Sequence, residues 1–133
     1  MTVNKFNFRA YIKSLKKIYK VYNLMENGDK VEVIDNNGDF VGDGDGFYKN
    51  DFDLMQSTGL TDKNSKEIYE GDILTDGSIK YLVKFDEERA WFIMKPILCE
   101  KTLLTDYEEL GKRYMHYYEI IGNIYENKEL LGK

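Results

Sequence analysis

The segment from residue 54 to residue 74 constrains the fold more than any other part of this sequence. It starts as the end of an alternating, strand-like run over residues 52–57, continues as a polar turn at 61–66 and then opens a second series of strands. The sequence therefore predicts a mainly β fold of two small antiparallel lobes. We expect an N-terminal meander over residues 1–57 and a C-terminal, small-barrel-like sheet over residues 58–133, as two lobes or as one integrated domain.

The same central segment carries a resemblance to a known family. Its matching residues are Leu54-Met55-Gln56, Thr58-Gly59-Leu60, Asp62 and Lys66-Glu67-Ile68-Tyr69-Glu70-Gly71-Asp72-Ile73. This run resembles the signature of the YopX family, small proteins encoded by phages and prophages. The opening of the chain at 5–10 and its close at 118–127 are also similar to that family. The resemblance implies an origin and a fold, but no mechanism, because the family has no established catalytic activity.

Two positions depart from the family pattern. Ser57 stands where an aromatic residue is usual, which weakens any packing or surface role of that ring. Ser65 stands where glycine is usual. Because serine tolerates positive φ poorly, this departure predicts a turn that does not require positive φ.

The N-terminal segment from residue 11 to residue 22 has two interpretations. Tyr11, Leu15, Ile18 and Tyr22 fall at helical spacing with lysines on the other side, which is typical of a basic amphipathic helix. Against that, the segment is rich in β-branched and aromatic residues and lacks a good helix N-cap. Members of the resembled family usually have a polar turn here. We therefore favour a hairpin that closes near residues 13–17.

The C-terminal half has the pattern of a meander followed by one short helix. Asp106 is a candidate N-cap for a helix that runs to Leu110 and ends at Gly111. Turn residues separate the predicted strands, which are 73–75, 79–85, 90–96 and 117–125.

Charge and cysteine content limit the classes of function. The net charge of −5 argues against binding of a phosphate backbone over the whole surface. Residues 1–30 are basic and residues 31–60 are acidic, so we expect these two segments to lie close together. A single cysteine, Cys99, is typical of a reducing compartment and of a small core residue. No apolar run is long enough to span a bilayer, so we expect a cytoplasmic protein without a membrane partner.

The glycine and aspartate run at residues 42–46 suggests a calcium loop, but no EF-hand register fits it. A loop that starts at Asp35 has Phe40 where glycine is required, and one that starts at Asp39 has Val41 at a ligand position. A phosphate cradle fails because the carboxylates would repel the phosphate. We interpret the run as an irregular turn and expect no metal ion or other cofactor; a weak, irregular cation site is the alternative.

The sequence offers little for catalysis. His116 is the sole histidine and lies among tyrosines, and no serine lies in a nucleophile-elbow motif. One cysteine and one histidine do not make a structural zinc site. Glu87 and Glu88 are adjacent, so a strand would point them to opposite faces. We expect a protein that is not an enzyme.

Binding remains as the expected function. We expect a protein-interaction module that acts on a phage or host protein through sheet edges and a tyrosine-rich surface. The alternative is a small barrel that binds single-stranded nucleic acid, with aromatic residues stacking on bases. Exposed strand edges also make self-association plausible. The candidate interaction surface consists of polar residues in the matched segment that a core would not require, namely Gln56, Thr58, Asp62 and Tyr69.

Overall fold

The chain is built almost entirely from antiparallel strands. A computed structural model describes residues 7–42, 44–97, 108–109 and 116–131. The chain forms two compact units, Met1–Gln56 and Ser57–Lys133. The prediction of a mainly β fold with two antiparallel sheets is confirmed, and neither sheet closes into a barrel over the described ranges. That residues 1–57 and 58–133 form two lobes, or one integrated domain, stays a prediction.

The first unit contains a meander of strands that extends into one long strand. The strands are β1 (Phe8–Ile12), β2 (Lys17–Met25), β3 (Lys30–Ile34), β4 (Phe47–Tyr48) and the long strand β5 (Phe52–Thr61). Their order across the sheet is β4-β3-β2-β1-β5. Short 3₁₀ turns connect β2 to β3 and β4 to β5, at Glu26–Gly28 and Lys49–Asp51.

The hairpin predicted for residues 11–22 is confirmed, and the amphipathic helix is wrong. Strand β1 pairs with β2, and Ile12 lies opposite Lys17 at the closed end. Ala10 and Ile12 are fully buried, and Tyr19 and Val21 of β2 pack on the same side. Pairing of β1 with β2 buries alternate residues on one face of the sheet. This alternation, and not the helical spacing in the sequence, therefore determines the local structure.

The core of the first unit lies on one face of its sheet. Its buried members are Ala10, Ile12, Val31, Val33 and Phe52, and half-buried apolar side chains pack around them. The loop after β3 closes on this core through Gly46, whose φ is +78°. A Cβ at this position would lie 2.7 Å from the carbonyl oxygen of Val31. Residue 46, in the glycine and aspartate run, must therefore be glycine, because a side chain there would clash with the backbone of β3.

The basic segment 1–30 and the acidic segment 31–60 do lie close together. Lys13 Nζ is 3.9 Å from Asp53 Oδ1. The hydroxyl of Ser14 donates a 2.6 Å hydrogen bond to Asp51. The expected proximity is confirmed, and pairing of β1 with β5 is its cause.

The second unit contains the distal half of β5 with its partner β6, and a five-stranded sheet. The order of that sheet is β10-β9-β8-β7-β11. Its apolar cluster consists of Ile68, Leu74, Tyr81, Val83, Phe92, Met94 and Tyr118. A 3₁₀ turn, Lys128–Leu131, follows the last strand. The strands are β6 (Glu67–Tyr69), β7 (Asp72–Thr75), β8 (Lys80–Asp86), β9 (Trp91–Ile97), β10 (Glu108–Glu109) and β11 (Glu119–Asn123).

The predicted helix from Asp106 to Leu110 is wrong at the two residues of it that are described. Glu108 and Glu109 form β10 and lie opposite Met94 and Ile93 of β9. Pairing with a strand distant in sequence outweighs local helix propensity here. The remaining residues of the predicted helix, and Cys99, lie outside the described residues. Over the described ranges, no helix is both long and apolar enough to cross a membrane.

Candidate functional site

The polar turn of the matched segment is organised around the carboxylate of Asp62. Asp62 Oδ1 accepts hydrogen bonds from the backbone N–H groups of Asn64 and Lys66, each at 2.9 Å. Asp62 Oδ2 accepts from the N–H of Ile120 in β11, also at 2.9 Å. Beside it, the N–H of Lys63 donates to the carbonyl of Tyr118 at 2.9 Å. The turn therefore covers the outer edge of β11, and the carboxylate takes the place of a strand partner's carbonyl.

The pKa of Asp62 reflects this burial and this bonding. Burial of the side chain, which is 5% exposed, would on its own raise the pKa. The N–H donors of Ile120, Lys66 and Asn64, with the ammonium of Lys66, outweigh that effect and hold the pKa below its usual value. The carboxylate of Asp62 therefore has a structural role, which is to hold the turn together and to join it to β11.

Thr58 has a similar structural role on the pair of strands β5 and β6. Its hydroxyl donates to the carbonyl of Ile68 at 2.8 Å and accepts from the N–H of Leu60 at 3.1 Å. The side chain is 7% exposed. These bonds span an irregularity in the β5–β6 register between Ser57 and Thr61, where ladder hydrogen bonds are interrupted.

Thr58 and Asp62 belong to the predicted interaction surface. That prediction assumed that the core would not require polar groups at these positions, and for Thr58 and Asp62 the assumption is wrong. Both side chains satisfy buried or half-buried backbone groups. Gln56 and Tyr69 are half-buried, on β5 and β6. That Gln56, Thr58, Asp62 and Tyr69 form a contact surface stays a prediction.

The structure brings Tyr69 together with Ser57 and Glu67, which the sequence analysis did not place in the candidate interaction surface. The hydroxyls of Ser57 and Tyr69 both donate to the carboxylate of Glu67, and the Tyr69 bond is 3.4 Å long. The Ser57 hydroxyl also accepts from the N–H of Gly59 at 3.0 Å. Ser57, at the position where the family has a ring, thus supplies a polar link between β5 and β6. Antiparallel pairing of Ser57 with Tyr69 is the signal that would have identified this cluster.

The turn itself contradicts one expectation. Ser65 has a φ of 66°, in the left-handed region that favours glycine. The prediction that serine here marks a turn without positive φ is therefore wrong. Hydrogen bonds hold the turn closed regardless, from the N–H of Ser65 to the carbonyl of Asp62 and from the N–H of Asp62 to the carbonyl of Lys66.

His116, the residue considered for catalysis, lies on the surface of the second unit. His116 is exposed, and its ring packs on Tyr117 with centroids 4.1 Å apart. Over the described ranges, no group of three His, Cys, Asp or Glu residues is placed to hold a metal ion.

A second candidate site is the aromatic end of the β8–β9 hairpin, which sequence reasoning missed. Phe85 and Trp91 are 39% and 46% exposed. Both rings contact buried Phe92, at centroid distances of 5.2 Å and 5.9 Å. The signal in the sequence is an acidic turn with aromatic residues on both sides. We call Phe85, Trp91 and Phe92 the aromatic hairpin.

Comparisons with other proteins agree with this architecture. The crystal structure of protein EF1440 from Enterococcus faecalis is similar over 97% of this chain and 99% of that chain, with 27% sequence identity and a TM-score of 0.65. A search of curated proteins gave no match. The family model described as YopX protein matches residues 7–132. The chain belongs to the YopX family.

Proposed function

We propose that this chain is a non-catalytic binding protein of a phage or prophage, and that it docks on a protein partner through the aromatic hairpin. The observation that carries the proposal is the 46% exposure of Trp91 on the paired β8–β9 hairpin, where strand alternation places it on the face opposite Phe85 and Phe92. The phage origin follows the family resemblance of the central segment. On that origin, the partner is a phage or host protein in the bacterial cytoplasm.

The rings of the aromatic hairpin pack against one another. Phe85 lies directly opposite Phe92 across the β8–β9 ladder, and Phe92 is buried in the apolar cluster of the second unit. The Trp91 ring rests against Phe92 at a 65° interplanar angle. Side chains that are already ordered lose little rotamer entropy on binding. Aromatic residues of this kind commonly contribute most of the binding energy of a protein interface.

The charges around the rings favour a protein partner. Residues 84–95 contain three basic side chains, Lys84, Arg89 and Lys95, and three acidic ones. Arg89 and Asp86 form an ion pair at 3.1 Å on the turn. A rim of balanced charge around an apolar centre is typical of protein interfaces. A phosphate backbone would meet no net attraction on this hairpin.

The test starts with affinity capture from cells that carry the parent phage or prophage, followed by calorimetry with the purified partner. Trp91→Ala should weaken binding by about 2 kcal/mol, or roughly 30-fold, since a central aromatic contact is lost. Ile79→Ala removes an exposed apolar side chain of the same unit away from the rings and serves as the matched control, with an expected change below about twofold.

Two results would contradict the proposal. The first is a partner whose affinity is the same for wild type, Trp91→Ala and Phe85→Ala. The second is turnover of a substrate that is lost in His116→Ala, because this would make the protein an enzyme. Each variant should first give the circular dichroism spectrum of the wild type, so that a loss of binding reports the contact.

A further inference from the structure

The outer face of the first sheet, opposite its apolar core, carries a row of basic and apolar side chains. Strand register sets the row, because each member lies directly opposite the next on neighbouring strands. Arg9 is half-buried, and it is paired with Lys20 on one side and with buried Met55 on the other, where its Nε donates to Met55 Sδ at 3.4 Å. Lys20 is paired with Ile34, and Ile34 forms a bridge with Phe40. We call these residues, with Tyr22, Lys30 and Tyr48, the basic–aromatic face.

Aromatic rings on this face are exposed instead of buried. Tyr22 is 62% exposed and Phe40 is 54% exposed, and they hold each other edge to face with centroids 5.0 Å apart. Tyr48 lies opposite Lys30, whose ammonium is 5.1 Å from the centre of the Tyr48 ring. The sheet has a separate face for its core, so burial does not explain these rings. Rings of this kind can stack on flat ligands.

The first two strands of the sheet and the turn between them are basic. Residues 7–25 contain five basic side chains, Arg9, Lys13, Lys16, Lys17 and Lys20, and no acidic one. The two carboxylates that strand alternation places on the face are engaged with neighbours, Asp53 with Lys13 at 3.9 Å and Glu32 with the amide of Asn23 at 3.5 Å. Three cations, Arg9, Lys20 and Lys30, thus share the face with these two engaged carboxylates, in a chain whose net charge is −5.

We propose that the basic–aromatic face binds single-stranded nucleic acid, with bases on the Tyr22–Phe40 pair and phosphates along Arg9 and Lys20. Lys20 and Phe40 are two strand positions apart, or roughly 10 Å. Paired exposed rings beside cations suit a polymer that alternates flat bases with anions. Single strands fit better than duplexes, because only unstacked bases can reach an aromatic ring. A protein partner fits this face less well, because the centres of protein interfaces are depleted of charged residues.

The experiment measures fluorescence anisotropy of a labelled oligothymidylate of about ten nucleotides as full-length protein is added. We expect binding at low salt that weakens steeply as salt rises, since phosphates release counterions. Phe40→Ala and Tyr22→Ala should each weaken binding at least about fivefold, and Phe40→Tyr should restore it. Lys20→Gln should lower the slope of log affinity against log salt by about 0.7.

Tyr117→Ala is the matched control, because it removes from the other unit a ring that is 61% exposed, close to the 62% of Tyr22. Its affinity for the oligonucleotide should equal that of the wild type. The proposal is overturned if the wild type does not bind at low salt, if duplex binds as tightly as single strand, or if Phe40→Ala and Tyr117→Ala behave alike. It is also overturned if a protein partner requires Phe40 and Tyr22 while the oligonucleotide does not. Because the two surfaces share no residue, this result and the test of the aromatic hairpin succeed or fail independently.

Discussion

Ser65 adopts a strained backbone conformation, and the turn around it forms nevertheless. The turn around the Asp62 carboxylate requires a left-handed residue, and Ser65 adopts that conformation at a φ of 66°. A residue with a Cβ costs about 1–2 kcal/mol there. Four backbone hydrogen bonds in the turn, two of them to the carboxylate, offset this strain. Serine is thus tolerated at a position whose backbone still favours the glycine of the family pattern.

The residue-scale prediction is that Ser65→Gly stabilises the protein. Relief of the left-handed strain should exceed the entropy that glycine adds to the unfolded chain, for a net gain of about 0.5–1 kcal/mol in the free energy of unfolding. Urea titration followed by circular dichroism measures it. Asn64→Gly introduces the same residue next door, where φ is not positive, and should destabilise the protein. A loss of stability in Ser65→Gly would show that the serine side chain has a role of its own.

The edge of β11 illustrates protection of a strand by a side chain. An exposed edge offers unpaired N–H and carbonyl groups to other chains. The Asp62 turn occupies part of this edge through the N–H of Ile120 and the carbonyl of Tyr118. An ion pair of Lys63 with Glu119, at 3.8 Å, lies alongside. The most recognisable residues of the family segment thus stabilise the second unit.

The element-scale prediction concerns Asp62→Asn. An amide nitrogen cannot accept a hydrogen bond, so one set of backbone donors loses its acceptor, at a cost of about 2 kcal/mol at pH 7. Because the pKa of Asp62 is lowered in the folded state, its carboxylate contributes fully above the usual value of 3.8, and this contribution is lost as pH falls through the lower, folded pKa. The difference in stability between wild type and variant should therefore shrink in strongly acidic solution.

Urea midpoints measured from pH 7 downwards test this dependence. Glu88→Gln removes an exposed carboxylate from the β8–β9 turn and should leave stability within about 0.5 kcal/mol of the wild type at pH 7. A gap between wild type and Asp62→Asn that stays constant at every pH would mean that the carboxylate charge does not contribute to holding the turn.

Element boundaries divide into those that local sequence determines and those that distant strands determine. The Asp76-Gly77 turn and the strands around it follow their local signals, because side chains there form the turn: Asp76 Oδ1 accepts from the N–H groups of Ser78 and Ile79. Glu108 and Glu109 have helical signals but lie in a strand, because β9 offers them backbone partners. No local pattern contains that information.

The candidate site was predictable to a similar extent. The family segment directed attention to Asp62 and Thr58, but the sequence did not show that their polar atoms bond to the backbone of the fold. That distinction depends on Ile120, which is 58 residues away from Asp62. The exposed rings of Tyr22 and Phe40 were also hidden in the sequence. A bulge in the β2–β3 register between Val21 and Asn23 shifts the alternation at Tyr22, so spacing alone misassigns its face.

At the scale of the whole molecule, each unit has an apolar cluster of its own. Ile12 belongs to the cluster of the first unit and Leu74 to that of the second, and both are fully buried. The cavity left by replacing either side chain with alanine costs about 2–5 kcal/mol. If each cluster supports its own unit, this loss should appear first in the unit that contains the substitution.

Amide hydrogen exchange followed by mass spectrometry distinguishes opening of each unit by itself from opening of the chain as one cooperative domain. Ile12→Ala should speed exchange in β1–β3 by about 30-fold or more while β7–β9 change little, since about 1.4 kcal/mol corresponds to a factor of ten. Leu74→Ala should give the reverse pattern. The two variants are controls for each other, because both delete a fully buried aliphatic side chain from a strand. Equal acceleration in both sets of strands with either variant would mean that the chain opens as one cooperative domain, with β5 as the continuous strand common to both units.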